Sequence, residues 1–489
     1  MKKILFTLLP LILSASQDSL QKKIELLENE ISTIKQQVSQ NSYDIEEGMP
    51  ILEEVEKKNI LDVINFSPEL TLRFDKMKYK IGKTQGEDTK IYNHSDSIYN
   101  GEQRRDEFSK DFDVASLIRF KLKMSAKIDN TLSFNGSMIF MNSSQSHQRL
   151  CILSRDIKSA ESSSVFDVER AYIDYTPNRD SDYASTFSFG LLPTTGGTPM
   201  QFAQNTKRKS MFPALVFDMN TYGMILTQKF TNDTFARAIL AKAYTLRANF
   251  YPYQCNRENI DNANIAGIYF DKKINFLGSS LLSFGVNMLQ DFKAHPYLGP
   301  DVGSSDSHIL GDIFTYGIGL DIQKVANTDT TIFIHTALSN PNSNNKSDDY
   351  QIVATPTQTL ADGKTLTGLT GFSEASYAKG QMIDSNGHSV YLGTNYYLTD
   401  SINFGAEYNY GSKYWFSATQ GAEDMYNKLA IRGSATEIYS TWKFHKNVSA
   451  KLGYITMKEK YTGSGWHFGE PAKKDATQDV GYLSLKAKF

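Results

Sequence analysis

Residues 480–489 read "VGYLSLKAKF", and the reading of this stretch decides the fold. Counted back in twos it gives Phe489, Ala487, Leu485 and Leu483, with Lys488, Lys486, Ser484 and Tyr482 between them. Successive side chains of a β-strand point to opposite faces, so one face is apolar and the other mostly polar and cationic. Soluble domains rarely leave such a strand as a frayed last segment. A closed barrel needs its last strand to seal the sheet edge against the first. The expectation is therefore a β-barrel closed at Phe489.

The same alternation recurs from Phe66 onward. "LTLRF" (70–74) sets Leu70, Leu72 and Phe74 against Thr71 and Arg73, and "IRFKLKM" (118–124) sets Ile118, Phe120, Leu122 and Met124 against Arg119, Lys121 and Lys123. In "AYIDY" (171–175), Tyr172 and Asp174 face away from Ala171, Ile173 and Tyr175. A full pass predicts sixteen strands, near 67–76, 114–128, 131–142, 163–176, 183–192, 219–230, 233–244, 263–272, 279–291, 311–322, 329–338, 387–398, 401–412, 433–443, 448–458 and 478–489. Most have the length that a tilted membrane strand requires. Short turns such as 129–130, 231–232, 399–400 and 445–447 alternate with long polar connections such as 77–113, 193–218, 339–386 and 413–432. Strict short–long alternation is expected of a transmembrane barrel with short periplasmic turns and long extracellular loops. The expected fold class is thus all-β: a transmembrane antiparallel barrel of about 16 strands over 66–489, preceded by a short N-terminal coiled-coil helix.

Composition fits this reading. Aromatic residues are 12% of the chain, with 29 Phe, 27 Tyr and 3 Trp, while the mean hydropathy is −0.40. A polar average with many rings suits a barrel wet inside and girdled outside, and equally an aromatic-rich secreted sandwich. A net charge of −2 gives no support to a nucleic-acid partner. The two cysteines, Cys151 and Cys255, could form one disulfide between loops but no metal site or disulfide framework. No apolar run reaches the length of a spanning helix.

The N-terminus has the three parts of a secretory signal over 1–16: Lys2 and Lys3, the apolar "ILFTLLPLIL" (4–13), then small residues. Segment 17–47 is expected to be a periplasmic coiled coil. Leu20, Ile24, Leu27, Ile31, Ile34 and Val38 follow a 4-3-4-3-4 spacing, and Lys23 and Glu30 at g meet Glu28 and Lys35 at e with opposite signs. β-branched residues at both a and d favour three strands over two, so a homotrimer is expected. Residues 48–65 are read as a linker.

The segments "AEYNYGSKYWFSATQGAEDMYNKLAIRGSA" (406–435) and "GYITMKEKYTGSGWHFG" (453–469) resemble a porin-like outer-membrane family of uncharacterised function from epsilon-class Gram-negative bacteria. The terminal strand also resembles bacterial outer-membrane barrels, which commonly end on Phe with alternating apolar residues upstream. The resemblance covers essentially the whole chain and implies a barrel and a pore, with no catalytic residue. Expected partners are outer-membrane lipid and lipopolysaccharide, the barrel-assembly machinery through the C-terminal strand, and small hydrophilic solutes.

A sixteen-stranded barrel is too wide for wall side chains to fill. Arg73, Arg119, Lys121, Lys123, Lys127, Arg170 and Asp174 are accordingly expected to line a water channel, the six cations either pairing with Asp174 and loop acids to stiffen the wall or forming a stripe opposite an acidic one that screens solutes by charge. Loop 193–218 is punctuated by Pro193, Gly196, Gly197, Pro199 and Pro213 and carries Met200, Phe202, Met211, Phe212 and Leu215. A solvated loop has no need of that apolar surface, so it is expected to fold inward, as in the general porins this barrel resembles, with Lys207, Arg208 and Lys209 at the constriction. The alternative is an outer tip that binds lipopolysaccharide phosphates. No phosphate-binding loop, paired-Cys site or metalloprotease helix occurs; no cofactor, metal or enzymatic activity is expected. His335, beside Thr331, Phe333 and Ala337 on one face, reads as a wall histidine. The expected function is a passive diffusion channel, with a structural or adhesive barrel of blocked lumen as the alternative.

Overall fold

The protein is described by a computed structural model over residues 22–23, 25–32, 64–81, 108–111, 113–143, 165–243, 263–294, 308–342, 350–352, 358–359, 365–366, 375–377, 385–419, 424–461 and 473–489. Two compact units are separated, Met1–Ile64 and Asn65–Phe489. In the first, residues 22–23 and 25–32 are helical, and Leu27 and Ile31 of the predicted seam are exposed on the single chain. Leu20, Ile24, Ile34 and Val38 lie outside the described residues, as do the predicted signal peptide, Cys151 and Cys255.

The second unit is an antiparallel barrel of sixteen staves among the described residues. The first four are β1 (Ile64–Ile81), β2 (Ala115–Lys127), β3 (Leu132–Ser143) and β4 (Val165–Tyr175). Then come β5 (Ser185–Leu191), β6 (Thr221–Thr231), β7 (Thr234–Ala243) and β8 (Asn264–Asn275). Next are β9 (Ser279–Ala294), β10 (His308–Gln323), β11 (Thr330–Asn342) and β12 (Gly387–Thr399). The last are β13 (Ile402–Gly411), β14 (Gly433–His445), β15 (Val448–Tyr461) and β16 (Lys473–Lys488). A short piece, Phe108–Asp111, precedes β2 and pairs with β1 as β2 does. Each predicted strand overlaps one of these staves. The main difference is length: β1, β10 and β16 run several residues further toward the long loops, because ladder hydrogen bonding continues past the last clear alternation.

Closure is by β1 and β16. Leu70 lies opposite Ala487, Leu72 opposite Leu485 and Phe74 opposite Leu483, and the ladder runs on to Ile81 opposite Ala476. Just past it, the Phe489 N–H donates to the Pro68 carbonyl at 2.9 Å. Adjacent staves along the chain are joined at one end by tight turns. At the first, one oxygen of Asp129 accepts from the Thr131 N–H at 2.6 Å and the Leu132 N–H at 2.8 Å, and these bonds draw its carboxyl below the usual range.

Period two then sorts the faces. Leu240, Ile268, Ile318, Ile334, Leu392, Ile438 and Leu452 are exposed around the circumference, while their sequence neighbours Ile239, Phe333, Tyr391 and Tyr439 are buried inside. A soluble monomer rarely exposes an apolar patch beyond a few hundred Å², whereas lipid requires one all round. Near the short-turn end the exposed residues become rings: Phe66, Tyr175, Phe187, Phe230, Phe276, Tyr396, Trp442 and Phe444. This is the aromatic belt of a membrane interface. The fold is that of an outer-membrane β-barrel.

Candidate functional site in the barrel lumen

Inward positions of β16 and β1 to β4 bring cations and carboxylates together. Glu69 on β1 is buried and faces Lys486 at 2.9 Å, Lys123 at 3.4 Å and Arg119 at 4.0 Å. Arg73 is bonded to Asp75 at 2.8 Å and lies 4.1 Å from the centre of the Tyr482 ring, a cation–π contact that fixes its plane. Lys121 pairs with Glu169 at 2.8 Å, and the Ser137 hydroxyl donates to the same carboxylate at 2.9 Å. A buried ion pair repays its desolvation only with such added hydrogen bonds.

Two connections fold into the lumen and meet this wall, at Arg73 and at Arg170. The first is 192–220. It leaves β5 through Pro193 and bends at Gly197, where a Cβ would lie 1.6 Å from the Phe212 carbonyl oxygen, so only glycine fits. The bend brings α1 (Met200–Gln204) against the far wall. Phe202 stacks on Phe333 of β11 at 5.7 Å, and Phe212 meets the edge of Tyr269 on β8 at 4.5 Å. Val216 fits a notch at Gly317 of β10, where an added Cβ would approach it to 2.7 Å. Each buried Phe contributes about 1.5–3 kcal/mol. Polar anchors set the register. The Asn395 side chain donates to the Phe202 carbonyl at 3.0 Å, Arg170 donates to the Thr195 carbonyl at 2.6 Å, and the Thr198 hydroxyl donates to Asp321. Asp321 also bonds His335 Nε2 at 2.8 Å.

The second connection is described over 412–419 and 424–432. Trp415 is fully buried, and its indole N–H donates to the Leu429 carbonyl at 2.8 Å. The aromatic cluster of this loop thus packs the lumen. Lys428 reaches Glu407 of β13 at 3.0 Å and also contacts Glu437 of β14, which Lys451 meets at 3.0 Å. Burial disfavours the Lys428 charge, yet Glu407, Glu437 and Asp424 hold its pKa well above the ordinary lysine value. The two inward connections touch, with the Asp218 N–H donating to the Ala418 carbonyl at 2.9 Å.

Arg73, Arg119, Lys121 and Lys123 therefore lie together on one arc of the wall, interleaved with Glu69, Asp75 and Glu169. Arg170 is turned onto loop 192–220. Asp174 accepts from Ser188 at 2.5 Å and Asn135 at 3.2 Å, and makes no ion pair among the described residues. Lys127 ends β2 and is exposed at the short-turn end. Lys207 is exposed, Arg208 pairs with Asp271 at 3.1 Å, and the Lys209 carbonyl accepts from Arg170 at 3.1 Å. Sequence reasoning missed the partner carboxylates, although Glu69 and Asp75 share the parity of Arg73 in "ELTLRFD" (69–75). It also missed the inward course of 412–419 and 424–432, whose signal was Trp415 and Phe416 within an otherwise polar loop.

Beneath α1, at the short-turn end, a cavity of about 340 Å³ remains between the wall and the inward connections. Ala203, Gln204 and Asn205 line its loop side, Met425 the second connection, and β1, β2, β3 and β14 to β16 its wall.

The chain matches, over residues 109–486, a family described as a protein of unknown function, DUF3373. Among solved structures, in-vitro folded OmpT, an outer membrane protein of Vibrio cholerae, is similar at 10% identity and a TM-score of 0.41, covering 87% of this chain and 97% of that chain. Salmonella typhi OmpF in complex with daunomycin is similar at 11% identity and a TM-score of 0.42, over 87% of this chain and 97% of that chain. No curated protein matches the chain.

Proposed function

We propose that this chain, which belongs to the DUF3373 family of proteins of unknown function, is a porin-like outer-membrane channel for passive diffusion of small hydrophilic solutes. The observation that carries the reading is the lumen itself: an apolar-faced barrel encloses ionised side chains and a polar cavity. In a barrel of this strand number the interior exceeds what wall side chains fill, and here inward connections narrow it. The chemistry invoked is exclusion by size and charge, with no reacting group. Purified protein in planar bilayers should show discrete conductance steps, and their absence under every condition would sink the proposal.

In this reading the long connections face outward, where they meet lipopolysaccharide, and the N-terminal helix stands in the periplasm. Lys207, Arg208 and Lys209 sit in the narrowed zone, where low-dielectric walls focus their field. Changing all three to Glu should move the reversal potential in a salt gradient toward cations. An unmoved potential with raised detergent sensitivity of the outer membrane assigns them to the surface instead. The helical seam is read as trimerising the protein. Ile24→Asp, Ile31→Asp and Ile34→Asp together should reduce the oligomer size in detergent, because charge buried in a seam is costly; an unchanged size removes the coil as the determinant.

The contact between the two inward connections favours a second reading, an adhesive or structural barrel whose lumen is blocked. Deletion of 343–384 that abolishes surface attachment while solute uptake stays the same would establish it.

A further inference from the structure

The cavity beneath α1 is strongly biased in charge. Seven cations line it against one carboxylate, Asp400. Four of them, Arg73, Arg119, Lys451 and Lys486, lean on three buried carboxylates of the same inner face, Asp75, Glu69 and Glu437. The other three, Lys443, Lys446 and Lys488, are exposed and make no ion pair among the described residues. Cations therefore outnumber all nearby carboxylates, and the barrel wall that holds them is a poor dielectric that focuses their field into the cavity.

The paired cations are also held in place. Arg73 is clamped by Asp75 and the Tyr482 ring, and the Lys451 ammonium lies 3.9 Å from the centre of the Tyr439 ring while bonded to Glu437. Preorganised cations favour an anion without first having to be ordered. Hydroxyls and amides of Thr71, Gln204, Asn205, Thr441, Ser449 and Ser484 supply further donors around the same space. The deep side differs, with Leu117, Met141, Ala203 and Met425 forming an apolar floor. A bare inorganic anion leaves such a floor unused, whereas carbon bearing several carboxylates matches both halves.

We infer that this cavity is a binding site for small organic anions of more than one negative charge, placed at the short-turn mouth of the lumen. As a step in permeation the inference rests on the channel reading; as a binding site it stands alone. The carboxylates meet the rim lysines first, which concentrates the solute at the mouth, and the wall arginines then orient it. Affinity is expected to be modest and to weaken with salt, because the rim charges are solvated.

The test uses the full-length protein in detergent, with citrate as the probe, by calorimetry at physiological ionic strength. Saturable binding is expected, with none of an uncharged polyol of similar size. Lys443→Ser, Lys446→Ser and Lys488→Ser combined should weaken citrate binding about tenfold, with the barrel's heat-resistant migration on gels retained. Lys272→Ser with Lys273→Ser removes two exposed lysines elsewhere on the barrel and should leave binding intact. Absence of saturable citrate binding, or equal loss in the Lys272 and Lys273 variant, overturns the site. Conductance steps in bilayers without citrate binding sink the site and spare the channel. Citrate binding without conductance sinks the channel and spares the site.

Discussion

Lys428→Met will unseat residues 412–432 and lower the stability of the barrel by about 3–5 kcal/mol. The ammonium bridges Glu407 at 3.0 Å and Glu437, both buried. Methionine keeps the volume and removes the charge, so two carboxylates bonded by the Tyr391 and Tyr482 hydroxyls are left with Lys451 as their cation among the described residues. Breaking one partner of a buried network costs more than the network contributes as a whole, because a charge is left uncompensated in a poor dielectric. The measurement is the temperature at which heat-resistant migration is lost. Adding Glu437→Gln should return part of it by removing the orphaned charge. Wild-type stability in Lys428→Met would show that packing around Trp415 holds the segment without the ion cluster. The pH behaviour follows from the sign of the shift. A lysine whose folded pKa is raised contributes fully below its unfolded value and loses that contribution only as pH rises through the folded one. The wild-type segment should therefore stay seated between about pH 6 and 9, with release confined to strongly alkaline solution.

The second large effect concerns loop 192–220. Its ends are already joined as a ladder, with the Leu192 N–H donating to the Thr221 carbonyl at 2.8 Å. Removing Thr194–Met219 and closing β5 to β6 with Asn-Gly continues that hairpin with a turn suited to strand twist. The charged pairs of the wall left behind survive, with Asp271 keeping Arg237 at 2.8 Å and Asp321 keeping His335 at 2.8 Å, while Arg170 and Asn395 exchange their loop carbonyls for lumen water. Losing Phe202, Phe212 and Phe217 from the lumen lowers stability, yet the ladder of β5 to β8 does not depend on them. Conductance should rise by a factor of about two or more, since this segment fills the lumen along β8 to β12. A folded deletion protein with unchanged conductance would place the permeation path elsewhere and defeat the narrowing role given to this loop.

Alternation made the barrel legible. "IRFKLKM" (118–124) and "VGYLSLKAKF" (480–489) declare their faces because a side-chain period of two, set against lipid outside and polar lumen inside, leaves no other register. The turn at 129–130 and the sixteen strands followed from the same rule, since local chemistry sets both. Partners between staves were not legible. Glu69 meets Lys486 from the far end of the chain and Lys123 across the neighbouring stave, and only closure brings them within reach. The sequence by itself determined which residues point inward, because that is a property of each strand alone. Tertiary structure alone decided which inward residues meet and that residues 412–419 and 424–432 turn into the lumen, where the Phe416 N–H finds Ser339 of β11 and the Tyr426 ring finds Arg73 of β1, both far away in the chain. The cavity of seven cations was decided there too, because its charge is a sum over β1, β2 and β14 to β16 that no single segment carries.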